Sequence, residues 1–169
     1  MDWRQLGQNY LDKLPRQPFV IDKLPLNYLN IGFIRMALPQ SQILYLQRDA
    51  ADHELALMKH LFNQAYPWSY DVDEIKCYRQ AVESLCDTVI AEPDSNIQRL
   101  SYEQLINSPE ATLAKIADYC GLNWSERDIH QALQFADNNQ QPSTTGSASQ
   151  VRNPLHNRSI GLAKRYGWA

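Results

Sequence analysis

Lys23, Arg48 and Tyr102 stand at the carboxyl ends of three short apolar runs, at 19–21, 43–46 and 97–101. A lysine offers a compact charge, an arginine a planar fork of donors and a tyrosine a hydroxyl. Together they suit the oxygens of a phosphate or sulfate group. The tail adds Ser147, Gln150, Val151 and Arg152, and then Lys164 and Arg165. Each group has a plainer alternative. Lys23 alone reads as a solvated loop lysine, Arg48 as an ion pair with Asp49 or Asp52, and Lys164–Arg165 as a solvated C-terminal cluster. What favours an anion site is the gathering of bases at successive strand ends in a chain that is acidic overall.

The composition makes any such site local. With 169 residues, 44% of them hydrophobic, the chain is long enough to bury a core in one ordinary domain. A formal net charge of −3 gives no general attraction to nucleic acid or anionic membrane, so neither is expected as a partner. No apolar run approaches the roughly 20 residues that span a bilayer. The start, Met1-Asp2-Trp3-Arg4-Gln5, lacks the plan of a signal peptide. Cys77, Cys86 and Cys120 have no CxxC spacing and fall in amphipathic segments. They are expected as core thiols in a reducing compartment, the cytoplasm. The histidines are scattered, and no metal site is expected.

The elements that must position these side chains follow from spacing. Trp3, Leu6, Tyr10 and Leu14 share one helical face, which predicts a helix over 2–14 closed by Pro15. A strand over 19–21, a helix over 28–38 and a strand over 42–46 then make a β-α-β unit, and hence a parallel pair. Asn27 is the expected cap of that helix, with Leu29, Phe33, Ile34 and Ala37 turned inward. A helix over 50–63 follows, with Asp49 or Asp52 at its N-terminus and Leu55, Met58, Leu61 and Phe62 inward. The aromatic stretch 65–70 reads as a lid, a substrate surface or a packed connector. A long helix covers 71–91. After the strand over 97–101, Ser108-Pro109-Glu110 starts a helix that Gly121 ends, and Trp124-Ser125 opens another to about 136. Residues 137–149 predict a mobile loop. Alternating strands and helices predict an open α/β sheet whose ligand lies beyond the strands' carboxyl ends.

The run Asp22-Lys23-Leu24-Pro25-Leu26-Asn27, the helix exit Ala37-Leu38-Pro39 and the strand Ile43-Leu44-Tyr45-Leu46-Gln47-Arg48-Asp49 resemble the PAPS-dependent sulfotransferases. The nearest likeness is to the bacterial branch associated with tetratricopeptide repeats, related to the tyrosylprotein sulfotransferases. Tyr102-Glu103-Gln104-Leu105 with Pro109-Glu110 and Gly121-Leu122 is similar to another signature of that family. Gln150-Val151-Arg152-Asn153-Pro154 with Ser159-Ile160-Gly161 is similar to its C-terminal cofactor loop. The resemblance implies a partial P-loop-NTPase-like parallel sheet of roughly three strands flanked by helices, without the first phosphate-loop strand. It also implies transfer of a sulfuryl group from 3′-phosphoadenosine-5′-phosphosulfate (PAPS) to a hydroxyl or amine, with protein tyrosine or a small hydroxyl compound as acceptor. By the same likeness Lys23 would be catalytic, neutralising charge on the phosphosulfate bridge. Arg48 would hold the 3′-phosphate and Tyr102 would lie near the nucleotide. Ser147, Gln150, Val151 and Arg152 would close over it, with Lys164 and Arg165 nearby.

The sequence also departs from the family pattern. No Arg-Ser-Gly-type phosphate loop and no general base are present. Ala56 stands where the family has a serine eight residues past the arginine, and Leu162 stands where a basic residue follows the tail glycine. These departures predict that residues 1–169 form the C-terminal part of a sulfotransferase domain, inactive in isolation. The alternative is a degenerate, non-catalytic interaction module on the same fold. A nucleotide-kinase relative is disfavoured, because that family needs the same missing loop. Loss of a central strand would expose an apolar edge, which predicts a rearranged sheet or a homodimer.

Overall fold

The computed structural model describes residues 1–60, 62, 66–138 and 155–168. The chain divides into two compact units, Met1–Ile43 with Lys76–Gln98, and Leu44–Ile75 with Arg99–Ala169. Among the described residues the sheet is a parallel pair, β1 (Ile43–Gln47) and β2 (Ile97–Ser101), flanked by helices. The α/β class read from the sequence is the class observed.

In the first unit, α1 (Trp3–Leu11) begins at Asp2, whose carboxylate accepts the Gln5 N–H at 3.0 Å. A 3-10 helix, Pro25–Asn30, leads into α2 (Ile31–Ala37). Gly7 is buried where α1 meets α2, and a Cβ there would lie 1.9 Å from the Ala37 carbonyl oxygen. Only hydrogen fits that approach. Trp3 stacks on Phe33 at 5.6 Å beside it. The cap of α2 is Asn30 rather than Asn27, because Pro25 starts the 3-10 turn first. Ile31 is buried, whereas Leu29 and Phe33, expected inward, are 57% and 54% exposed.

The strand expected over 19–21 is absent. Phe19 is 65% and Ile21 91% exposed, and the segment is irregular. Three apolar residues are too few to hold a strand without a neighbour, and Pro18 removes one ladder donor. Instead Tyr10 donates a 2.6 Å hydrogen bond to Asp22 and ties the segment to the end of α1. Lys23 therefore stands not at a strand end but in an exposed loop. The predicted parallel pairing of the first two strands is replaced by that of β1 with β2.

In the second unit, α3 (Ala50–Lys59) is capped by Asp49, which accepts the Asp52 N–H at 3.0 Å, and it buries Leu55. A short 3-10 helix covers Pro67–Tyr70. The helix α4 (Val72–Ile90) begins in this unit and runs on into the first. Ile75 and Cys86 on it are fully enclosed. Cys77, expected in the core, is exposed. After β2 come α5 (Tyr102–Asn107), α6 (Pro109–Tyr119), α7 (Glu126–Asp137) and the single turn α8 (Leu162–Arg165). Ser125 and Asp128 form a reciprocal capping box on α7, and Gly121 takes the left-handed conformation (φ 66°) that ends the α6 segment. From residue 139, the loop predicted over 137–149 lies outside the described residues. No helix among the described residues is long and apolar enough to cross a membrane.

Candidate functional site

The site is built at the carboxyl end of β1. The strand delivers Arg48 past its last ladder residue, and Asp49 then turns the chain into α3. The start of α5 delivers Tyr102 directly after β2. The Arg48 guanidinium lies 5.1 Å above the Tyr102 ring and donates through Nη2 to the Ser159 carbonyl at 2.6 Å. The Tyr102 and Ser159 hydroxyls are 3.1 Å apart. Arg48, Tyr102 and Ser159 therefore form one cluster, held from three separate parts of the chain. The Nε–H of Arg48 is buried and has no hydrogen-bond partner. An unpartnered guanidinium donor in a buried position is costly, and a ligand oxygen is one way to satisfy it.

Beside this cluster lies a cleft of about 350 Å³ lined by residues including Arg48, Arg99, Ser101 and Glu103. Glu103 organises its rim. One carboxylate oxygen accepts the Asp49 N–H at 2.9 Å and the other the Ser101 hydroxyl at 2.8 Å. Burial works to raise the Glu103 pKa. The hydrogen bonds from Asp49, Ser101 and its own backbone, with the Arg48 charge, outweigh burial and hold it below its usual value. A second cleft of about 600 Å³, sharing Asp49 and Glu103, is lined by Ile160, Gly161, Lys164 and Trp168 among others.

Not every residue expected at the site meets the others. Arg48 and Tyr102, named from their places at successive strand ends, are in contact. The suggested Arg48 ion pairs are replaced by other partners: Asp49 caps α3, and Asp52 accepts backbone N–H groups from Gly161 and Ala163. Lys164 is exposed on the second cleft, and Arg165 donates to the Arg158 carbonyl in the turn before α8. Lys23 belongs to the first unit and is exposed. Ser147, Gln150, Val151 and Arg152 lie outside the described residues. Among the described residues no cluster of histidine, cysteine or carboxylate side chains could hold a metal ion.

Sequence reading missed Arg99; it gave Ser159 only as part of a likeness to a cofactor loop, and Asp52 only as an ion-pair partner of Arg48 or a helix-start carboxylate. Strand alternation puts Arg99 on the face opposite Gln98 and Leu100, which was a usable signal. No linear pattern ties residues 52 and 159 together.

The chain is similar to an uncharacterized protein of Aquifex aeolicus (strain VF5), at 23% identity over 170 residues. The match covers 96% of this chain and 22% of that relative, so the chain spans about a fifth of the relative's length. No solved structure matches it. The profile of the sulfotransferase family matches residues 3–126, which include Lys23, Arg48, Arg99 and Tyr102. The chain belongs to the sulfotransferase family.

Proposed function

We propose that this chain binds the nucleotide part of PAPS at Arg48 and serves transfer of its sulfuryl group to a hydroxyl or amine acceptor. The observation that carries the reading is the Arg48 guanidinium: stacked on Tyr102, anchored to Ser159, and left with a buried, unpartnered Nε–H beside a cleft. A fork fixed in this way suits a phosphate better than a freely rotating charge. The residues present fit PAPS: Arg48 and Arg99 both line one cleft, which makes that cleft locally basic in an acidic chain. When bound, PAPS would supply the electrophilic sulfur; Arg48 would orient the nucleotide and Lys23 would stabilise charge leaving the sulfur–oxygen bond. The role of Lys23 rests on family pattern alone. Protein tyrosine and small hydroxyl compounds both stay open as acceptors, because acceptor contacts vary with loops.

Titration with adenosine 3′,5′-bisphosphate tests the reading. Binding that is lost in Arg48→Ala supports it, and absence of binding at millimolar ligand refutes it. Any PAPS turnover should fall in Lys23→Ala with little change in nucleotide affinity. A non-catalytic module on the same fold is the second reading. It is favoured by Ala56, exposed on α3 without a hydroxyl, and by Leu162 at the start of α8.

A further inference from the structure

Asp52 is 2% exposed, in the first turn of α3 and four positions beyond Arg48. One carboxylate oxygen accepts the Gly161 N–H at 2.6 Å and the other the Ala163 N–H at 2.7 Å. Gly161 is in the left-handed conformation (φ 67°) that opens α8, and Ala163 is itself buried. Two residues before Gly161, Ser159 gives its carbonyl to Arg48 and its hydroxyl to Tyr102. The stretch 159–163 is thus fastened to the Arg48 cluster by Ser159 and to α3 by Asp52.

A buried carboxylate four positions beyond a guanidinium proposed to bind anions is a puzzle on charge alone, since it opposes an anionic ligand. Its geometry resolves that. Both oxygens are taken up by backbone N–H groups, those of Gly161 and Ala163, two and four residues after Ser159.

We propose that Asp52 is a positioning residue for nucleotide binding: by clamping Gly161 and Ala163 it sets the Ser159 carbonyl that orients the Arg48 guanidinium. The inference rests on the reading of the Arg48 cleft given above, a cleft that Asp52 does not line. The two accounts of Asp52 differ in sign. If only its charge mattered, Asp52→Asn would tighten binding of an anion. If it positions, Asp52→Asn weakens binding, because an amide accepts one of the two N–H groups and turns donors toward the other.

The test compares the whole chain with Asp52→Asn by two measurements: adenosine 3′,5′-bisphosphate titration, and amide hydrogen exchange without ligand. The expected result is affinity lower by about tenfold or more, with a cooperative unfolding transition retained and faster exchange at residues 159–163. Equal or tighter binding by Asp52→Asn overturns the proposal, as does unchanged exchange across 159–163. If the unmutated chain does not bind the nucleotide, the reading of the Arg48 cleft fails, and the exchange measurement still decides the clamp. Should Asp52→Asn fail to fold, exchange in the unmutated chain decides: Gly161 and Ala163 amides that slow further on saturation with nucleotide support the proposal, and amides that do not respond overturn it.

Discussion

Arg48 is held on two sides before any ligand arrives, by the Tyr102 face and by the Ser159 carbonyl. Preorganised in this way, its remaining donors lose little freedom on binding an anion. Arg48→Lys keeps the charge and removes both the fork and the stack. Nucleotide affinity should fall by about 1.5–3 kcal/mol, roughly ten- to a hundredfold, in a calorimetric titration; equal affinity would mean that charge alone sufficed. Glu103 gives a pH signature. Its folded pKa lies below the ordinary 4.5, so the folded chain binds fewer protons there than the unfolded one. The Glu103 contribution to stability is therefore complete above the unfolded value and lost as pH falls through the folded one. In urea unfolding between neutral and acid pH, Glu103→Gln should flatten the acid-side fall seen with the unmutated chain. An unchanged slope would show that Glu103 is not held ionised by folding.

At the scale of elements, two glycines separate contact from backbone strain. Gly7→Ala drives a Cβ into the Ala37 carbonyl and so forces α1 off α2. Gly121→Ala meets nothing within 4 Å, but it places an alanine at φ +66°. The second change should cost about 1 kcal/mol from strain alone. The first should cost clearly more, since repacking two helices commonly reaches about 1–3 kcal/mol. Chemical unfolding midpoints check both, and equal losses would count against the close α1–α2 approach. Some helix starts were legible from a cap beside a periodic run: Ser125 marks α7 and Asp49 marks α3, whereas Asn27 did not mark α2, because Pro25 starts a 3-10 turn ahead of it. The strand over 19–21 was misread because an apolar run reports hydrophobicity, whereas a strand exists only if a neighbour accepts its ladder.

At the scale of the molecule, Phe19, Ile21, Leu24, Leu29 and Phe33 are all more than half exposed in the first unit. Apolar surface of that kind should bind 8-anilinonaphthalene-1-sulfonate under native conditions, with fluorescence that falls in Phe19→Ser and Ile21→Ser. A chain that leaves the dye dark has this surface covered. The α/β class, most of the helices around β1 and β2, the likeness to the sulfotransferases and the places of Arg48 and Tyr102 at strand ends were legible in the linear sequence. These follow from local periodicity, caps and short motifs, which act within a few residues. Folding alone sets Lys23 in a loop, brings Arg99 to the cleft, joins Ser159 to Arg48 and Tyr102, and ties Asp52 to Gly161 and Ala163. Asp52 meets Gly161 at a separation of 109 residues, and no local rule links positions so far apart. Its companion bond gives the buried Ala163 N–H an acceptor, a need that arises only once the chain has folded.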